Sequence, residues 1–323
     1  MSLEKFNFSG KVIIGGRHSD FFSETIKGNQ NRLKIYIASS VESIGKSLGL
    51  KSSDFLILGK NTLPCPYPIN LKFLNNDKLT GSISRPNRLN IAQIIIDSGC
   101  KFNCSFCEKA RSDIQSFPIR YLLKLLEDYA TIGKNYLIFW DEVFGKSKNT
   151  DSILNLLKEL NLSFTCNTRL DSLNIEFITK LAIGNCKSIL IGLEVGGNEN
   201  DAQNYLKIDY RKKKYLEKLE SIISLLNEFN IDLIGSLIIG LPNDTEEIIS
   251  NRILHYSNLG LKKIYIRPLV VFPGSAIYLE SIAKNIIKPY EEWNNTELQT
   301  YPLGYPTICR NLNREDLSQW IKN

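Results

Sequence analysis

Three cysteines in one short segment are the strongest chemical signal in the sequence. Cys100, Cys104 and Cys107 follow one another at intervals of four and three residues. Soft thiolate ligands select zinc or an iron–sulfur cluster, and each of these normally takes four ligands. The spacing therefore predicts a metal site that lacks its fourth ligand locally.

The missing fourth ligand separates the two kinds of site. A structural zinc ion would need a distant partner such as Cys65, His18 or His255, and the chain has no second Cys-x-x-Cys pair to supply a zinc ribbon. A four-iron cluster held by three cysteines instead leaves one iron with an open coordination position, which a chelating substrate can fill. We therefore favour an iron–sulfur cluster over zinc.

The other four cysteines are scattered along the chain. Cys166 and Cys186 lie in strand-like segments, which predicts that they pack in the core. For Cys65 and Cys309, simple packing, a radical-quenching thiol and a remote metal ligand all stay open. Seven cysteines in 323 residues are too few for a disulfide scaffold, which favours a reducing compartment and predicts a cytoplasmic protein.

The composition is that of a globular protein. Forty Lys and Arg against 34 Asp and Glu give a net charge of +6, and 43% of the residues are hydrophobic, which disfavours disorder and fibrous repeats. No apolar run approaches the roughly 18 residues of a membrane span, and residues 1–10 hold no hydrophobic signal core. The basic run at 211–214 fits a solvated helix end, with an acidic peptide or RNA contact as the alternative.

The elements that must position the cysteines are visible from residue 91 onward, where strand-like and helix-like segments alternate as in βα units on a parallel sheet. The pattern predicts strands at 91–98, 136–141, 162–167, 187–193, 232–240 and 263–269. It predicts helices at 119–132, 152–160, 175–181, 215–229 and 245–259. Asp244 is the expected N-cap of the last of these helices. The pattern alone suits either a partial barrel or an open doubly wound sheet.

The regions that flank this alternating core are organised differently. Residues 1–88 hold three strand-like runs between Gly-, Asn- and Ser-rich clusters, which predicts a small N-terminal α/β accessory region. Residues 89–275 form the predicted core. Residues 276–323 form a C-terminal extension that we expect to cover one end of the sheet.

The cysteine segment reads Cys-x-x-x-Cys-x-Phe-Cys, which resembles the signature of the radical S-adenosylmethionine (SAM) enzymes. The likeness extends over about residues 91–275 and is closest to the branch that often carries a cobalamin domain. It implies a [4Fe–4S] cluster on Cys100, Cys104 and Cys107, whose open iron binds the amino and carboxylate groups of SAM. It also implies a partial (β/α)6 TIM-like barrel and an external flavodoxin- or ferredoxin-like electron donor. The implied activity is reductive cleavage of SAM to a 5′-deoxyadenosyl radical that abstracts hydrogen from a substrate.

The resemblance further implies SAM contacts at the ends of successive strands. Asp141 and Glu142 stand in the second-strand segment, where one of the two would lie near the SAM ammonium group. Arg169 is the candidate for the SAM carboxylate, with a surface salt bridge as the alternative. Glu194 is the candidate for the ribose hydroxyls or the ammonium group, with helix capping as the alternative.

The adenine of SAM is expected against two further segments. Phe106, inside the cysteine motif, would stack near adenine, and the fifth-strand segment with Ser236 and Ile238 would lie against it. For Ser236 and Ile238 only a backbone contact is implied. No side chain is assigned to a catalytic step beyond this cofactor site.

Departures from the family pattern narrow the expected chemistry. The chain has no Asp-x-His-x-x-Gly motif, so residues 1–88 look like a truncated relic of a cobalamin domain or a substrate-recognition arm, and we expect no cobalamin requirement. Without three further clustered cysteines a methylthiotransferase is not expected. A ribosomally made peptide is the substrate class we expect, and modification of a small molecule or a nucleic acid stays open. The alternative outside the enzymes is a metal-stabilised binding module.

Overall fold

The computed structural model describes residues 11–15, 34–38, 55–56, 65–66, 90–193, 212–261, 263–289 and 306–322. The N-terminal region contributes four short strands to this description, β1 (Lys11–Gly15), β2 (Lys34–Ala38), β3 (Phe55–Leu56) and β4 (Cys65–Pro66). β1 and β2 pair in parallel, and β3 and β4 pair antiparallel. β1, β2 and β3 begin at the first residues of the three strand-like runs of the sequence, which are 11–14, 34–37 and 55–58.

One six-stranded parallel sheet carries the rest of the fold. Its strands are β5 (Ile91–Ile94), β8 (Tyr136–Phe139), β9 (Ser163–Thr168), β10 (Cys186–Gly192), β11 (Asp232–Ile239) and β12 (Lys263–Pro268). They pair in chain order from β5 to β12 without a reversal. A doubly wound sheet reverses its strand order at a switch point, so this order is that of a singly wound barrel. The prediction of a partial TIM-like barrel is confirmed.

Seven helices are described, and the first five connect successive strands of the sheet. They are α1 (Ile119–Thr131), α2 (Thr150–Glu159), α3 (Ile175–Ile183), α4 (Lys212–Glu228), α5 (Glu246–Asn258), α6 (Ala276–Ala283) and α7 (Arg314–Lys322). These five lie within a few residues of the predicted helices. None of the helices in the described part combines the length and apolarity that a bilayer crossing requires.

The main core lies between the helices and one face of the sheet. Alternate side chains of the strands, such as Leu137, Phe139 and Phe164, are buried there against the helices. Cys166 and Cys186 belong to the same core, as predicted for them. The opposite face of the sheet is more exposed, and Trp140, which follows β8, keeps 51% of its surface accessible.

The first predicted strand, at 91–98, is interrupted in the structure. β5 ends at Ile94, and the chain resumes as β6 (Asp97–Ser98), which pairs antiparallel with β7 (Gln115–Ser116) across the cysteine segment. The backbone N–H groups of Ile96 and Asp97 donate to the side chain of Asp141. A side-chain carboxylate thus takes over where a strand ladder would otherwise satisfy these donors.

The prediction that Asp244 caps α5 is wrong. The N-cap is Thr245, whose hydroxyl accepts the N–H of Ile248 at 3.2 Å. Asp244 is buried instead and pairs with Arg252 at 2.6 Å, and its carboxylate accepts the N–H of Gly240 at 2.8 Å. The carboxylate of Asp244 is engaged in an ion pair with Arg252, and the sequence pattern of helix caps does not predict such a pair.

The C-terminal extension reaches the same turn after β11. The Asn311 amide donates to the carbonyl oxygen of Asp244 at 3.1 Å, and the Cys309 thiol lies 3.4 Å from that oxygen. The N–H of Arg310 donates to the carbonyl oxygen of Pro242 at 3.1 Å. The described part of the extension therefore contacts the turn that follows β11.

Candidate cofactor site

The three cysteines of the motif lie on one closed loop between β6 and β7, at residues 99–112. The N–H of Ser112 donates to the carbonyl oxygen of Cys100 at 3.0 Å, and the N–H of Cys100 donates back to the Ser112 hydroxyl at 3.0 Å. Within the loop, the N–H of Cys107 donates to the carbonyl oxygen of Cys104 at 3.2 Å. Cys100, Cys104 and Cys107 are all half-buried, so the thiols are held by the loop and are still reachable.

Gly99 lets the chain turn from β6 into this cysteine loop. Its φ is +113°, a value that side-chain-bearing residues rarely adopt. A Cβ at this position would also collide with the backbone carbonyl oxygen of Asp113. Only glycine fits the start of the loop.

The end of β8 holds the loop through two acidic side chains, of which Asp141 is the more deeply buried. Asp141 is 3% exposed, and its Oδ1 accepts the N–H of Ile96 at 3.1 Å and that of Asp97 at 2.8 Å. Burial raises the pKa of Asp141 to about 7; the two N–H donors lower this pKa, and the charge of Asp97 raises it. Asp141 thus ties the end of β8 to the segment that leads into the loop.

Glu142 provides the second attachment from β8. Its Oε2 accepts the N–H of Gly99 at 3.1 Å, and its Oε1 lies 3.8 Å from the ammonium nitrogen of Lys109. Gly99 and Lys109 lie on either side of the three cysteines, so Glu142 connects both ends of the loop to the sheet. Its side chain is 22% exposed, far more than that of Asp141.

Arg169, directly after β9, contacts the middle of the loop. Its Nη1 lies 3.8 Å from the Sγ atom of Cys104, and its Cζ lies 3.9 Å from the ring centroid of Phe102. Its Nε and Nη2 donate to Asp171 at 2.8 to 3.1 Å. The side chain is 17% exposed, so this ion pair is not a surface salt bridge.

The far side of the loop packs against the last part of the barrel. The N–H of Ile277, at the start of α6, donates to the carbonyl oxygen of Ser105 at 2.9 Å. Phe106 packs in an apolar cluster that includes Leu241, Val271 and Ile277, and Ile238 contacts the same cluster. The structure therefore brings together Phe106 and Ile238, two of the residues expected near adenine.

A cavity of about 320 Å³ opens beside the loop. Its lining residues are Asp97, Gly99, Cys100, Lys101, Phe102, Ile114, Asp141, Glu142, Val143 and Lys146. The cavity is lined by one candidate metal ligand, Cys100, and by the two carboxylates at the end of β8, Asp141 and Glu142. Its lining also holds two lysines, so the site presents charges of both signs.

The three thiols suit the ligand set of an iron–sulfur cluster. Within the described ranges no three His, Cys, Asp or Glu side chains converge closely enough to hold a metal ion. A four-iron cluster does not need such convergence, because each thiolate binds a different corner. Burial raises the pKa of the Cys107 thiol, and the charge of Cys100 contributes, so ligation would have to displace a proton there.

The remaining predicted SAM contacts involve Ser236, Ile238 and Glu194. Ser236 lies on β11 beside Gly192 of β10 and two positions before Ile238, so Ser236 and Ile238 share one face of the sheet. The carbonyl oxygen of Ser236 accepts the N–H of Leu193 at 2.8 Å. Glu194 lies outside the described residues.

Sequence reasoning missed the partners that hold these side chains. Asp171 stands two residues after Arg169, and Lys109 stands two residues after the last motif cysteine. An acidic residue so close to a candidate arginine is a signal that sequence reasoning can use. The contact of Phe102 with Arg169 leaves no such local signal, because it joins two distant segments.

The comparisons with known proteins agree with this geometry. The sequence profile of the radical SAM superfamily matches residues 94–251. An uncharacterized methyltransferase of Pyrococcus horikoshii is 21% identical over 60% of this chain and 42% of its own length. The bacteriochlorophyllide d C-8(2)-methyltransferase of Chlorobaculum tepidum is 24% identical over 90% of this chain and 66% of its own length. The chain thus spans 42% to 66% of the length of these two relatives.

Solved structures show the same fold. The radical SAM methyltransferase TsrM from Kitasatospora setae, with cobalamin and a [4Fe–4S] cluster bound, has a TM-score of 0.56 at 15% identity; the match covers 85% of this chain and 59% of TsrM. The same enzyme with its tryptophan substrate and a SAM analogue has a TM-score of 0.53 at 18% identity, over 62% of this chain and 39% of TsrM.

Proposed function

Because the chain belongs to the radical SAM superfamily, we propose that Cys100, Cys104 and Cys107 hold its [4Fe–4S] cluster and that SAM binds beside them. When both are bound, they supply the one-electron chemistry that opens a carbon–sulfur bond of SAM. The observation that carries this proposal is the cysteine loop, which is attached to the ends of β8 and β9 and to the start of α6. An external flavodoxin- or ferredoxin-like protein is the proposed electron donor.

Glu142 is the better candidate of the two acidic residues for the SAM ammonium group. The Oδ1 of Asp141 already accepts two backbone N–H groups, and this side chain is almost fully buried. Glu142 is partly exposed and lines the cavity next to Cys100. Asp141 would then act by holding the loop, and Glu142 by holding both the loop and SAM.

We propose the other SAM contacts as well, and the described contacts support some of them more than others. Phe106 and Ile238 lie in contact with one apolar cluster, which suits the flat face of adenine. Arg169 donates to Asp171 from Nε and Nη2, so a bond to the SAM carboxylate would come from the other N–H groups of the guanidinium, and those of Nη1 lie on the side of Cys104. Ser236 and Glu194 are proposed on the family resemblance alone.

Two substrate classes are proposed. The first is a ribosomally made peptide, expected from the sequence. The second is a small organic molecule that receives a methyl group, and the names of the relatives favour it. The Chlorobaculum enzyme, named for methylation of bacteriochlorophyllide d, matches 90% of this chain.

The fate of SAM tests the proposed activity. We expect the anaerobically reconstituted protein to convert SAM to 5′-deoxyadenosine when dithionite is added, measured by liquid chromatography and mass spectrometry. Formation of S-adenosylhomocysteine in addition would favour methyl transfer. Intact SAM after prolonged incubation with a fully loaded, reduced protein would contradict the proposal.

A further inference from the structure

The contacts of Arg169 suggest a role toward the cluster itself, distinct from the predicted contact with SAM. One edge of its guanidinium is fixed by Asp171, through three hydrogen bonds of 2.8 to 3.1 Å. Its Nη1 lies 3.8 Å from the Sγ atom of Cys104. The plane is also supported by the Phe102 ring, 3.9 Å away. Three contacts therefore determine where this cation lies relative to a proposed cluster ligand.

A cation in this position has a predictable electrostatic effect. Hydrogen bonds to ligand sulfurs and nearby charge set the reduction potentials of iron–sulfur clusters. A positive charge beside a thiolate stabilises the reduced form, which carries one more electron, and so raises the potential. The effect is strengthened because the pair is largely buried, with 17% of Arg169 and 22% of Asp171 exposed.

Asp171 should act in the opposite direction. Its carboxylate partly neutralises the guanidinium and therefore limits the increase in potential. An amide at the same position would keep an acceptor for the Arg169 N–H groups while removing the negative charge. The two residues therefore form an opposed pair whose members can be changed separately.

We infer that Arg169 is a positioning residue for the cluster: it holds Cys104 in place and raises the reduction potential of the bound cluster, and Asp171 limits this increase. The inference rests on the proposed function, because it needs the cluster on the three cysteines. It goes beyond SAM binding, because its effect is present when SAM is absent.

The test is a redox titration of the reconstituted holoprotein without SAM, followed by electron paramagnetic resonance of the reduced cluster. We expect Arg169→Gln to lower the midpoint potential and Asp171→Asn to raise it. Arg169→Lys keeps the charge but loses the planar fork, so its potential should lie between those of the wild type and the Gln variant. Lys180→Gln, which removes an exposed positive charge on α3, is the matched control and should leave the potential unchanged.

The outcomes separate the inference from its alternatives. An unchanged potential in both Arg169→Gln and Asp171→Asn, with normal cluster content, would overturn it. A weaker affinity for SAM in Arg169→Gln without any change in potential would return Arg169 to the SAM carboxylate alone. If Arg169→Gln does not load a cluster, the midpoint potentials of Arg169→Lys and Asp171→Asn are compared with that of the wild type instead. Unchanged potentials in both of these variants would overturn the inference. A wild-type protein that assembles no cluster would instead contradict the proposed function.

Discussion

The Asp141 carboxylate lies between two segments that must meet for the site to form, the end of β8 and the start of the cysteine loop. It is almost completely removed from water, and the backbone N–H groups of Ile96 and Asp97 donate to it there. Its pKa of about 7 shows that burial outweighs these donors. The residue therefore stabilises the fold best when it is protonated.

This pKa predicts a specific pH dependence of stability. The ordinary pKa of 3.8 in the unfolded chain lies below the folded value of about 7, so the folded protein binds the proton more tightly. The contribution of Asp141 to the free energy of unfolding should then be present at low pH and decrease as the pH rises from about 4 to about 7, by up to about 4 kcal/mol. Asp141→Asn should lack this decrease, because an amide oxygen can accept the same two N–H groups without ionising.

Urea unfolding of the wild type and of Asp141→Asn across this pH range measures the effect. The stability of the Asn variant relative to the wild type should increase with pH and level off above about 7. Other carboxylates titrate in both proteins, so their effects cancel in the difference. Parallel pH profiles would show that Asp141 is not held in the buried setting described above.

The conformation of the cysteine loop depends on the backbone of Gly99. We expect Gly99→Ala to destabilise the protein by about 3 kcal/mol or more and to reduce cluster loading, because both φ and the Asp113 carbonyl exclude a Cβ. Gly133→Ala is the matched control: Gly133 also has a positive φ, of +78°, but an added Cβ would meet nothing within 4 Å. This control should cost only about 1 to 2 kcal/mol.

Thermal unfolding and the iron content of Gly99→Ala and Gly133→Ala test this prediction. Equal losses of stability and of iron in the two variants would mean that the positive φ alone is responsible and that the loop can move away from Asp113. A larger loss in Gly99→Ala, with iron content reduced in that variant only, is the expected result.

The strands and helices of the barrel could be predicted from the sequence because hydrophobic periodicity is a local property. The end points of β8 to β12 and of α1 to α5 fall within a few residues of the prediction for this reason. The break at Ile96 could not be predicted, because its partner Asp141 is 45 residues away in the chain. The role of Asp244 could not be predicted either, because capping and pairing with Arg252 compete for the same carboxylate and the sequence does not decide between them.

The candidate site shows the same division. Residue types and spacing identified Cys100, Cys104 and Cys107, and the resemblance added Arg169 and Glu142. Which of these side chains faces SAM and which holds the loop depends on tertiary contacts, and the sequence left that question open. The burial of Asp141 against the exposure of Glu142 is the kind of difference that only the fold supplies.

For the whole molecule, the prediction to test is that the protein requires no cobalamin in its N-terminal region. The structure describes β1 and β2 there as a parallel pair, an arrangement that also occurs in Rossmann-like layers. The lack of an Asp-x-His-x-x-Gly motif still predicts that no corrin is required.

Incubation with hydroxocobalamin followed by desalting tests this prediction. We expect no corrin absorbance to remain with the protein and no effect of added cobalamin on SAM consumption. Retention of about one corrin per chain would contradict it and would shift the proposed reaction towards radical methylation. A binding pocket without a histidine ligand, built around residues 13–16, would then be the site to locate.

The central claim is that Cys100, Cys104 and Cys107 together hold a [4Fe–4S] cluster, and iron and sulfide analysis of single Cys→Ala variants tests it most directly. A cluster tied by only two thiolates is labile, so each of the three variants should lose most of its iron, its sulfide and its reduced-cluster resonance. Cys166→Ala and Cys186→Ala remove buried core thiols instead and should lower stability while keeping the cluster. Full iron and sulfide content in any one of the three motif variants would contradict the account.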